Sequence, residues 1–308
     1  MAQAKASSDA IVTTSAPAKP RREPRRWLSA PGILFLVLVT QIPFVLTIYY
    51  SFRGWNLLRP ESNQWVGARN YVRTLQSPDF YHILWNTILL TGSVVIITLV
   101  FGLILALLLN RPFRGQGVAR TMLIAPFLIM PVVTAVLWKN VLLDPVFGFS
   151  AFLISMLGLP AVSFLEQFPM ASIIVIVSWQ WTPFVMLILL AGLQSMPESA
   201  LEAASIDGAH GLTMFRYIIL PHLRTFIEIA LLLEVIFVLN VFGVIFVTTS
   251  GGPGIATTNL PYEIYKEAFS RWNVGKASAL GVFAVILANI VVLLFLRVVR
   301  GQDEGEVA

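Results

Sequence analysis

The sequence contains no cysteine, and only 12% of its 308 residues are charged. Without cysteine there is no disulfide framework, no thiolate catalysis and no cysteine-ligated zinc or iron–sulfur centre. A soluble domain usually carries about a quarter charged residues, so a surface with half that share would not keep a chain of this length dissolved. Because 57% of the residues are hydrophobic and the mean hydropathy is +0.79, the composition predicts an integral membrane protein.

The chain also lacks the sequence motifs that mark common enzyme sites. Its three histidines are scattered, and the H-E-x-x-H, G-x-S-x-G and P-loop patterns are all absent. We therefore expect no catalytic residue, no metal site and no cofactor bound by this chain. If ATP drives its activity, another chain must bind and hydrolyse the nucleotide.

Long apolar stretches predict the membrane spans. A helix that crosses a membrane needs about 20 mostly apolar residues, because the hydrocarbon core is roughly 30 Å thick. We predict an all-α membrane domain over residues 27–308, preceded by a disordered basic tail over residues 1–26. A further stretch, residues 151–165, is too short to span and predicts a helix at the membrane interface. The six predicted spans lie near residues 31–52, 85–109, 121–143, 171–193, 226–248 and 277–299.

The basic residues predict the orientation of these spans. Of the 21 lysines and arginines, thirteen lie in the N-terminal tail and the loops on its side, seven lie on the opposite side, and Lys139 lies near the end of the third span. Because cytoplasmic loops carry the excess of positive charge, both termini are predicted to be cytoplasmic. The net charge of +5 is then an orientation signal, and no nucleic-acid partner is expected. The first apolar run exceeds the roughly 7–15 residues of a cleaved signal peptide, so we expect it to remain as the first span.

The loop between the fourth and fifth spans, residues 196–224, carries the most distinctive local pattern. Pro197 suits the first turn of a helix, acidic residues follow where the helix dipole is positive, and a run of small residues favours helix. Gly208 provides a break because glycine tolerates positive φ, and Pro221 is predicted to end a second short helix. Composition leaves two interpretations open: a small-residue helix that seats in a groove of another protein, and an ordinary surface helix in a connecting loop.

The same loop resembles a family signature. Its residues fit the pattern E-A-A-x3-G-x9-I-x-L-P in full, with Glu202-Ala203-Ala204, Gly208 and Ile218-Ile219-Leu220-Pro221 at the required spacing. The pattern is similar to that of permease subunits in binding-protein-dependent ATP-binding-cassette (ABC) importers, which have it on the cytoplasmic loop before the penultimate helix. Within that family the chain most resembles carbohydrate permeases of the maltose and glycerol-3-phosphate type. Two stretches, residues 178–184 and 247–254, look closest to the sorbitol and mannitol (polyol) permeases.

The resemblance implies a type I ABC importer permease fold in the bacterial inner membrane. It also implies three protein partners: a second permease subunit forming a heterodimer, an ABC ATPase dimer that uses ATP and Mg²⁺, and an extracytoplasmic solute-binding protein. The solute is expected to be a polyol or a monosaccharide, with a derivatised sugar also open. A secondary carrier or channel working alone is the alternative function. The residues expected to couple to the ATPase are Glu202, Ala203, Ala204, Asp207, Gly208 and Ala209.

Polar residues inside the fifth span are candidate solute contacts, since charged groups in hydrocarbon cost at least ~2.5 kcal/mol. Asn240 lies near the centre of this span, where a solute contact and a helix–helix hydrogen bond are both open. Glu234 is expected to face an aqueous path or a partner subunit, with a structural hydrogen bond as the alternative. Glu228 lies one turn beyond Arg224, and this spacing predicts a local ion pair.

The fourth span combines two indoles and an amide beside a proline. Trp179, Gln180 and Trp181 precede Pro183, which is expected to kink the helix and release a backbone carbonyl. Aromatic faces and amide hydrogen bonds suit a polyol or sugar, whereas a kinked helix with interfacial tryptophans is the competing interpretation. A glycine-rich outer loop follows the fifth span, and it is predicted to gate the path, to meet the binding protein or to be a plain turn. Its residues are Gly251, Gly252 and Pro253.

Overall fold

The computed structural model describes residues 30–303, and over this range its regular secondary structure is helical. The chain divides into two compact units, one up to Leu46 and one from Thr47 onward. The predicted tail, residues 1–26, lies outside the described residues. A 3₁₀ turn covers Pro60–Ser62, and π-helical turns cover Trp138–Leu142, Phe215–Ile219 and Lys266–Ser270. The helices are α1 (Ala30–Ser51), α2 (Arg69–Leu75), α3 (Pro78–Leu109), α4 (Gln116–Leu128), α5 (Pro131–Leu137), α6 (Phe149–Met156), α7 (Phe164–Gln167), α8 (Pro169–Gln194), α9 (Glu198–Ile206), α10 (Leu212–Met214), α11 (Leu220–Leu239), α12 (Gly243–Thr248), α13 (Leu260–Tyr265) and α14 (Val274–Asp303).

Within residues 30–303, five helical stretches are long and apolar enough to cross a membrane, and they coincide with the predicted first, second, fourth, fifth and sixth spans. The all-α membrane fold is therefore confirmed, whereas the cytoplasmic placement of both termini stays a prediction. The second span begins earlier than predicted, because Pro78 occupies the first helical position after the extended residue Ser77. The five stretches are Ala30–Ser51, Pro78–Leu109, Pro169–Gln194, Leu212–Thr248 and Val274–Leu294.

The third predicted span, residues 121–143, is not one continuous helix. It consists of α4 and then α5 with its following π-helical turn, and the two halves are bent by 101°. Ile129 and Met130 between them are extended, with ψ of 135° and 138°. Proline pushes the preceding residue out of the helical region and has no N–H to continue the hydrogen-bond ladder. Pro131 therefore starts a new helix instead of extending the old one.

The fifth predicted span, residues 226–248, also differs from a straight helix. It is interrupted at residues 240–242, between the end of α11 and the start of α12. At its other end the helix continues through Pro221, contrary to the prediction that this residue ends a helix. A π-helical turn directly precedes the proline, and such wider turns help to accommodate proline within membrane helices.

The apolar stretch 151–165 forms two short helices instead of the single predicted one. α6 ends before Gly158, which takes φ of +69°, and α7 follows only at Phe164. Glycine in this conformation stops the helix because the left-handed region costs other residues more. Large apolar side chains of α6 are exposed, including Phe152 and Met156. Its position at the membrane interface stays a prediction.

In the second unit, α8 is the central helix. It packs along α3 with both helices running in the same direction, since Leu90 shares a buried cluster with Ile173 and Leu109 shares another with Leu193. Gly102 permits the close approach, because a Cβ atom there would lie 3.0 Å from the backbone of α8. α11 packs against both helices. This three-helix core holds the two regions described next.

Candidate functional site

The loop that carries the E-A-A pattern lies between α8 and α11 and contains the exposed helix α9. We call its residues 196–214 the α9 arm. α9 ends in a Schellman motif, in which amides beyond the helix bond back to its last carbonyls. The amide of Gly208 donates to the carbonyl of Ser205 at 3.1 Å, and the amide of Ala209 donates to the carbonyl of Ala204 at 2.9 Å. Gly208 has φ of +86°, the left-handed conformation that this motif requires. The predicted helix and its glycine end are confirmed, whereas the coupling role of these residues stays a prediction.

The exposure of the arm suits contact with another protein. Ile206 is 86% exposed at the end of α9, and Leu212 after the glycine turn is 78% exposed. Exposed apolar side chains that cluster beside polar ones mark interaction surfaces. Sequence reasoning missed Ile206, although a large apolar residue directly after a run of small ones was a usable signal. Of the predicted coupling residues, Glu202, Ala203, Asp207 and Gly208 are exposed, Ala209 is half-buried and Ala204 is buried.

At the base of the α9 arm, the end of α8 and the start of α11 are in direct contact. His222 Nε2 lies 3.1 Å from the carbonyl oxygen of Gly192 and 3.2 Å from the hydroxyl oxygen of Ser195. A Cβ atom at Gly192 would lie 2.7 Å from the ring of Phe226, so the end of α8 and the start of α11 are in close contact. The two ends of the segment containing α9 are therefore joined to each other.

Two broken helices meet inside the second unit. Pro131 follows the break after α4, and Gly243 follows the break after α11. A Cβ atom at Gly243 would lie 3.5 Å from the side chain of Val132 and 3.9 Å from that of Pro131, so the two breaks are adjacent. We call residues 129–132 and 240–243 the double break. Interrupted helices of this kind commonly form the solute sites of membrane transporters.

Buried amide side chains hold the double break in place. Gln180 Nε2 donates to the carbonyl of Ile129 at 2.9 Å, and Asn259 Nδ2 donates to the carbonyl of Val241 at 2.6 Å. Each amide satisfies a carbonyl at a break, where the helical partner is missing. Gln180, predicted to line the solute path, is 4% exposed and faces the backbone. Sequence reasoning missed Asn259, because its one local signal is a side-chain cap at the start of α13.

Aromatic rings surround the ends of both broken helices. Trp181 stacks on Phe237 with ring centroids 5.2 Å apart, and Phe127 meets Trp181 edge-on at 5.6 Å. Asn240 lies at the end of α11 with its side chain exposed, and its Nδ2 donates to the carbonyl of Ile236 at 2.7 Å. The structure therefore places two of the predicted path residues, Trp181 and Asn240, beside the double break.

Trp179 lies elsewhere. It faces an apolar groove between α3, α4 and α8, and its ring meets Trp138 edge-on at 5.7 Å. α8 continues through Pro183 as one helix, with the hydroxyl of Thr182 donating to the carbonyl of Ser178 at 2.6 Å. Trp179 and Trp181 therefore lie on different faces of α8.

Of the two acidic residues in α11, one is paired and one is buried. Arg224 and Glu228 form the predicted ion pair at 3.0 Å. Glu234 is fully buried, and its Oε1 lies 2.5 Å from the hydroxyl of Thr98 on α3. Its other oxygen has no hydrogen-bond partner among the described residues. This geometry favours the structural hydrogen bond over direct contact with an aqueous path.

The predicted outer loop is a packed turn. Gly251 is buried with φ of +82°, and a Cβ atom there would lie 2.6 Å from the ring of Tyr262. The amide of Thr257 donates to the carbonyl of Gly251 at 3.1 Å. Gly252 and Pro253 line a cavity beside the end of α12. Glycine at position 251 is therefore required by both the backbone conformation and the neighbouring ring.

Apolar spans that are broken where they meet are typical of membrane transport proteins, and this class is the one that the fold and the site indicate. Residues 83–301 match the family model of the binding-protein-dependent transport system inner membrane component. The chain belongs to this family. It is a multi-pass inner membrane permease subunit of an ABC importer. Such subunits are not themselves enzymes. The family match therefore favours the importer over the alternative of a carrier or channel working alone.

Individual relatives agree with this assignment. A probable ABC transporter permease protein, y4oQ, of Sinorhizobium fredii is 36% identical over 280 residues, which is 90% of each chain. The trehalose/maltose transport system permease protein MalF of Thermococcus litoralis is 34% identical over 275 residues, covering 87% of this chain and 91% of the relative. A chain in the crystal structure of a bacterial ABC transporter involved in the import of the acidic polysaccharide alginate matches with a TM-score of 0.77 and 25% identity, covering 90% of this chain and 96% of that one. The type I importer permease fold is therefore confirmed.

Proposed function

We propose that this permease carries a carbohydrate inward across the bacterial inner membrane, with a polyol or a monosaccharide as its solute. Two relatives support the carbohydrate class, since the Thermococcus protein is named for trehalose and maltose and the solved transporter for alginate. The stretches 178–184 and 247–254 support the polyol assignment through their resemblance to sorbitol and mannitol permeases.

In this proposal the chain works within a larger complex. Its partners are a second permease subunit, an ABC ATPase dimer and an extracytoplasmic solute-binding protein. The ATPase binds and hydrolyses ATP with Mg²⁺, and this chain holds no cofactor. Both termini and α9 face the cytoplasm, as the excess of basic residues on that side predicts.

The geometry of α9 is the observation that carries the coupling role. Its exposed face combines Glu202 with small side chains, and the glycine turn at Gly208 leaves the end of the helix open to a partner. In the proposed complex this face seats in a cleft of the ATPase, where Glu202 pairs with a basic residue. Asp207 and Ala209 flank the turn and share the contact.

The tied base of the arm explains how force reaches the solute path. Closure of the ATPase dimer on ATP displaces α9, and the contacts of His222 pass that displacement to α8 and α11 together. α11 ends at the double break, and α8 carries Gln180, which supports it. Alternation between two packings of these helices, each favoured by a different nucleotide state, then opens the path to one side at a time.

The double break is the proposed point of solute contact. Asn240 offers an exposed amide for hydroxyl groups, and the exposed ring of Phe237 offers a face for C–H groups. Trp181 stacks against that ring and fixes its orientation. Gln180 and Glu234 are buried, so in this proposal they shape the path instead of touching the solute.

Copurification of the ATPase with the permease complex tests the coupling role. Glu202→Lys is expected to reduce ATPase binding roughly 10- to 150-fold and to lower ATP-driven uptake with it, since the loss of one charge-assisted contact costs roughly 1.5–3 kcal/mol. Glu198→Lys is the matched control, because Glu198 is exposed on the same helix outside the E-A-A pattern. Equal losses in the two variants, or full binding by Glu202→Lys, would contradict the coupling role.

Uptake into proteoliposomes tests the carbohydrate function. The complete complex with its binding protein is expected to accumulate a radiolabelled polyol or monosaccharide only when ATP is inside. Asn240→Leu is expected to lower uptake while ATPase binding is retained, because the residue lies far from α9. Uptake that ignores ATP, or a binding protein that binds no carbohydrate, would overturn the proposal.

A further inference from the structure

A cavity with both polar and apolar lining residues lies at the end of the second unit opposite α9. Its volume is about 420 Å³, within the roughly 300–1,000 Å³ typical of small-molecule pockets. The π-helical turn after α5, helix α7 and the end of α12 form its walls. Its polar lining includes Lys139, Asn140, Asp144, Ser163, Glu166 and Thr249.

Several of these side chains are free to bind a solute. Among the residues that the structure describes, the side chains of Asn140, Ser163 and Glu166 make no hydrogen bond or ion pair. The ammonium of Lys139 donates to the carbonyl of Val247 at 3.0 Å, and an ammonium has further donors. The cavity therefore offers both donors and acceptors, as a polyhydroxylated molecule requires.

The charges of the cavity are unequal. The lining contains one ammonium, that of Lys139, and two carboxylates, those of Asp144 and Glu166, so it carries a net negative charge. The amides of Phe147 and Val146 donate to Asp144 Oδ1 at 2.8 Å and 2.9 Å. These two hydrogen bonds hold the pKa of Asp144 below its ordinary value, so this carboxylate stays ionised. An anionic solute would be repelled by this lining, whereas a neutral one would not.

The cavity and the double break lie at opposite ends of one pair of helices. α5 with its π-helical turn and α12 both start at the double break, pack side by side and end at the cavity. The hydrogen bond from Lys139 to Val247 joins these two elements at the cavity end. This pair of helices therefore links the cavity to the double break.

We infer that this cavity is an outer binding subsite for a neutral, polyhydroxylated solute, which occupies it before reaching the double break. The inference rests on the proposed carbohydrate function, and it adds the charge class of the solute and a place where this chain itself selects it.

Single introduced cysteines test the inference, because this chain has none of its own. Asn140→Cys places a thiol in the cavity, and Gln76→Cys places one on an exposed position at the same end of the unit but outside the cavity. The assembled complex in proteoliposomes is treated from outside with a cationic and an anionic methanethiosulfonate reagent. We expect the cationic reagent to react at least threefold faster at Asn140→Cys, to show no such preference at Gln76→Cys, and to lose its advantage when Glu166→Gln is added.

Protection by solutes provides the second measurement. Labelling of Asn140→Cys is repeated with millimolar mannitol or trehalose as neutral probes and glucuronate as an anionic probe. Slower labelling with at least one neutral probe, and not with glucuronate, supports the inference. No protection by either neutral probe, equal protection by glucuronate, or no effect of Glu166→Gln on the reagent preference would overturn it. Absence of ATP-driven carbohydrate uptake by the unmodified complex would overturn the proposed function instead, so the two failures are distinguishable.

Discussion

Replacing Gly208 by alanine tests whether the shape of the α9 arm matters for coupling. Gly208 has φ of +86°, and an added Cβ atom would meet nothing within 4 Å. The left-handed conformation costs an ordinary residue roughly 1–2 kcal/mol. Because no steric clash adds to this cost, the whole effect of Gly208→Ala comes from the backbone at the Schellman motif.

This strain is expected to lower the ratio of the binding-competent arm to its other conformations by about 5- to 30-fold. The affinity of the complex for its ATPase should fall, by at most the same factor. Gly158→Ala is the matched control, because Gly158 has φ of +69°, is also free of neighbours within 4 Å, and lies at the other end of the unit. Gly208→Asn should recover most of the affinity, since asparagine tolerates the left-handed conformation better than alanine.

The assay is ATPase binding to the reconstituted permease complex, measured alongside ATP-driven uptake. Gly208→Ala should lose both, and Gly158→Ala should lose neither by more than about twofold, a loss of about 0.4 kcal/mol. If the two alanine variants bind the ATPase equally well, the strain at Gly208 has no part in coupling.

Three further substitutions test the packing of the core. Gln180→Leu leaves the carbonyl of Ile129 at the α4–α5 break without its donor, so the complex should lose about 1–3 kcal/mol of stability. The loss should appear as a lower Tm in detergent, and an unchanged Tm would contradict the supporting role of Gln180. Glu234→Leu removes a buried oxygen that has no partner among the described residues, while Thr98 keeps its bond to a backbone carbonyl of α3. The Tm should therefore stay the same or rise, and a clear fall would show that the carboxyl stabilises the core. Gly192→Ala places a Cβ atom 2.7 Å from the ring of Phe226, and the overpacking should cost about 1–3 kcal/mol; normal thermal stability would contradict the close approach of the two helices.

The α9 arm was predictable because its determinants are local. Pro197, the small residues and Gly208 each act on the backbone within one or two turns of the chain. The ion pair between Arg224 and Glu228 was predictable for the same reason, since an i,i+4 spacing brings the two side chains together in any helix.

The break in the third span was missed although its cause is present in the sequence. A hydropathy window averages over about 19 residues, and Pro131 does not lower that average enough to show. Proline inside membrane helices is also tolerated, as α8 shows at Pro183. Whether a proline is absorbed or breaks the helix depends on what satisfies the released backbone groups, and here Gln180 from another helix does so.

Membrane location, the number of apolar stretches and the turn of the exposed arm could all be read from the sequence, because composition, span length and glycine conformation act over short distances. Which polar residues face backbone, ring or cavity could be seen only once the helices were packed. Gln180 and Asn259 are bound to carbonyls far away in the chain, and Glu234 to a hydroxyl on α3. In a bilayer every buried backbone group needs a partner within the protein, and the identity of that partner depends on how the helices pack against one another.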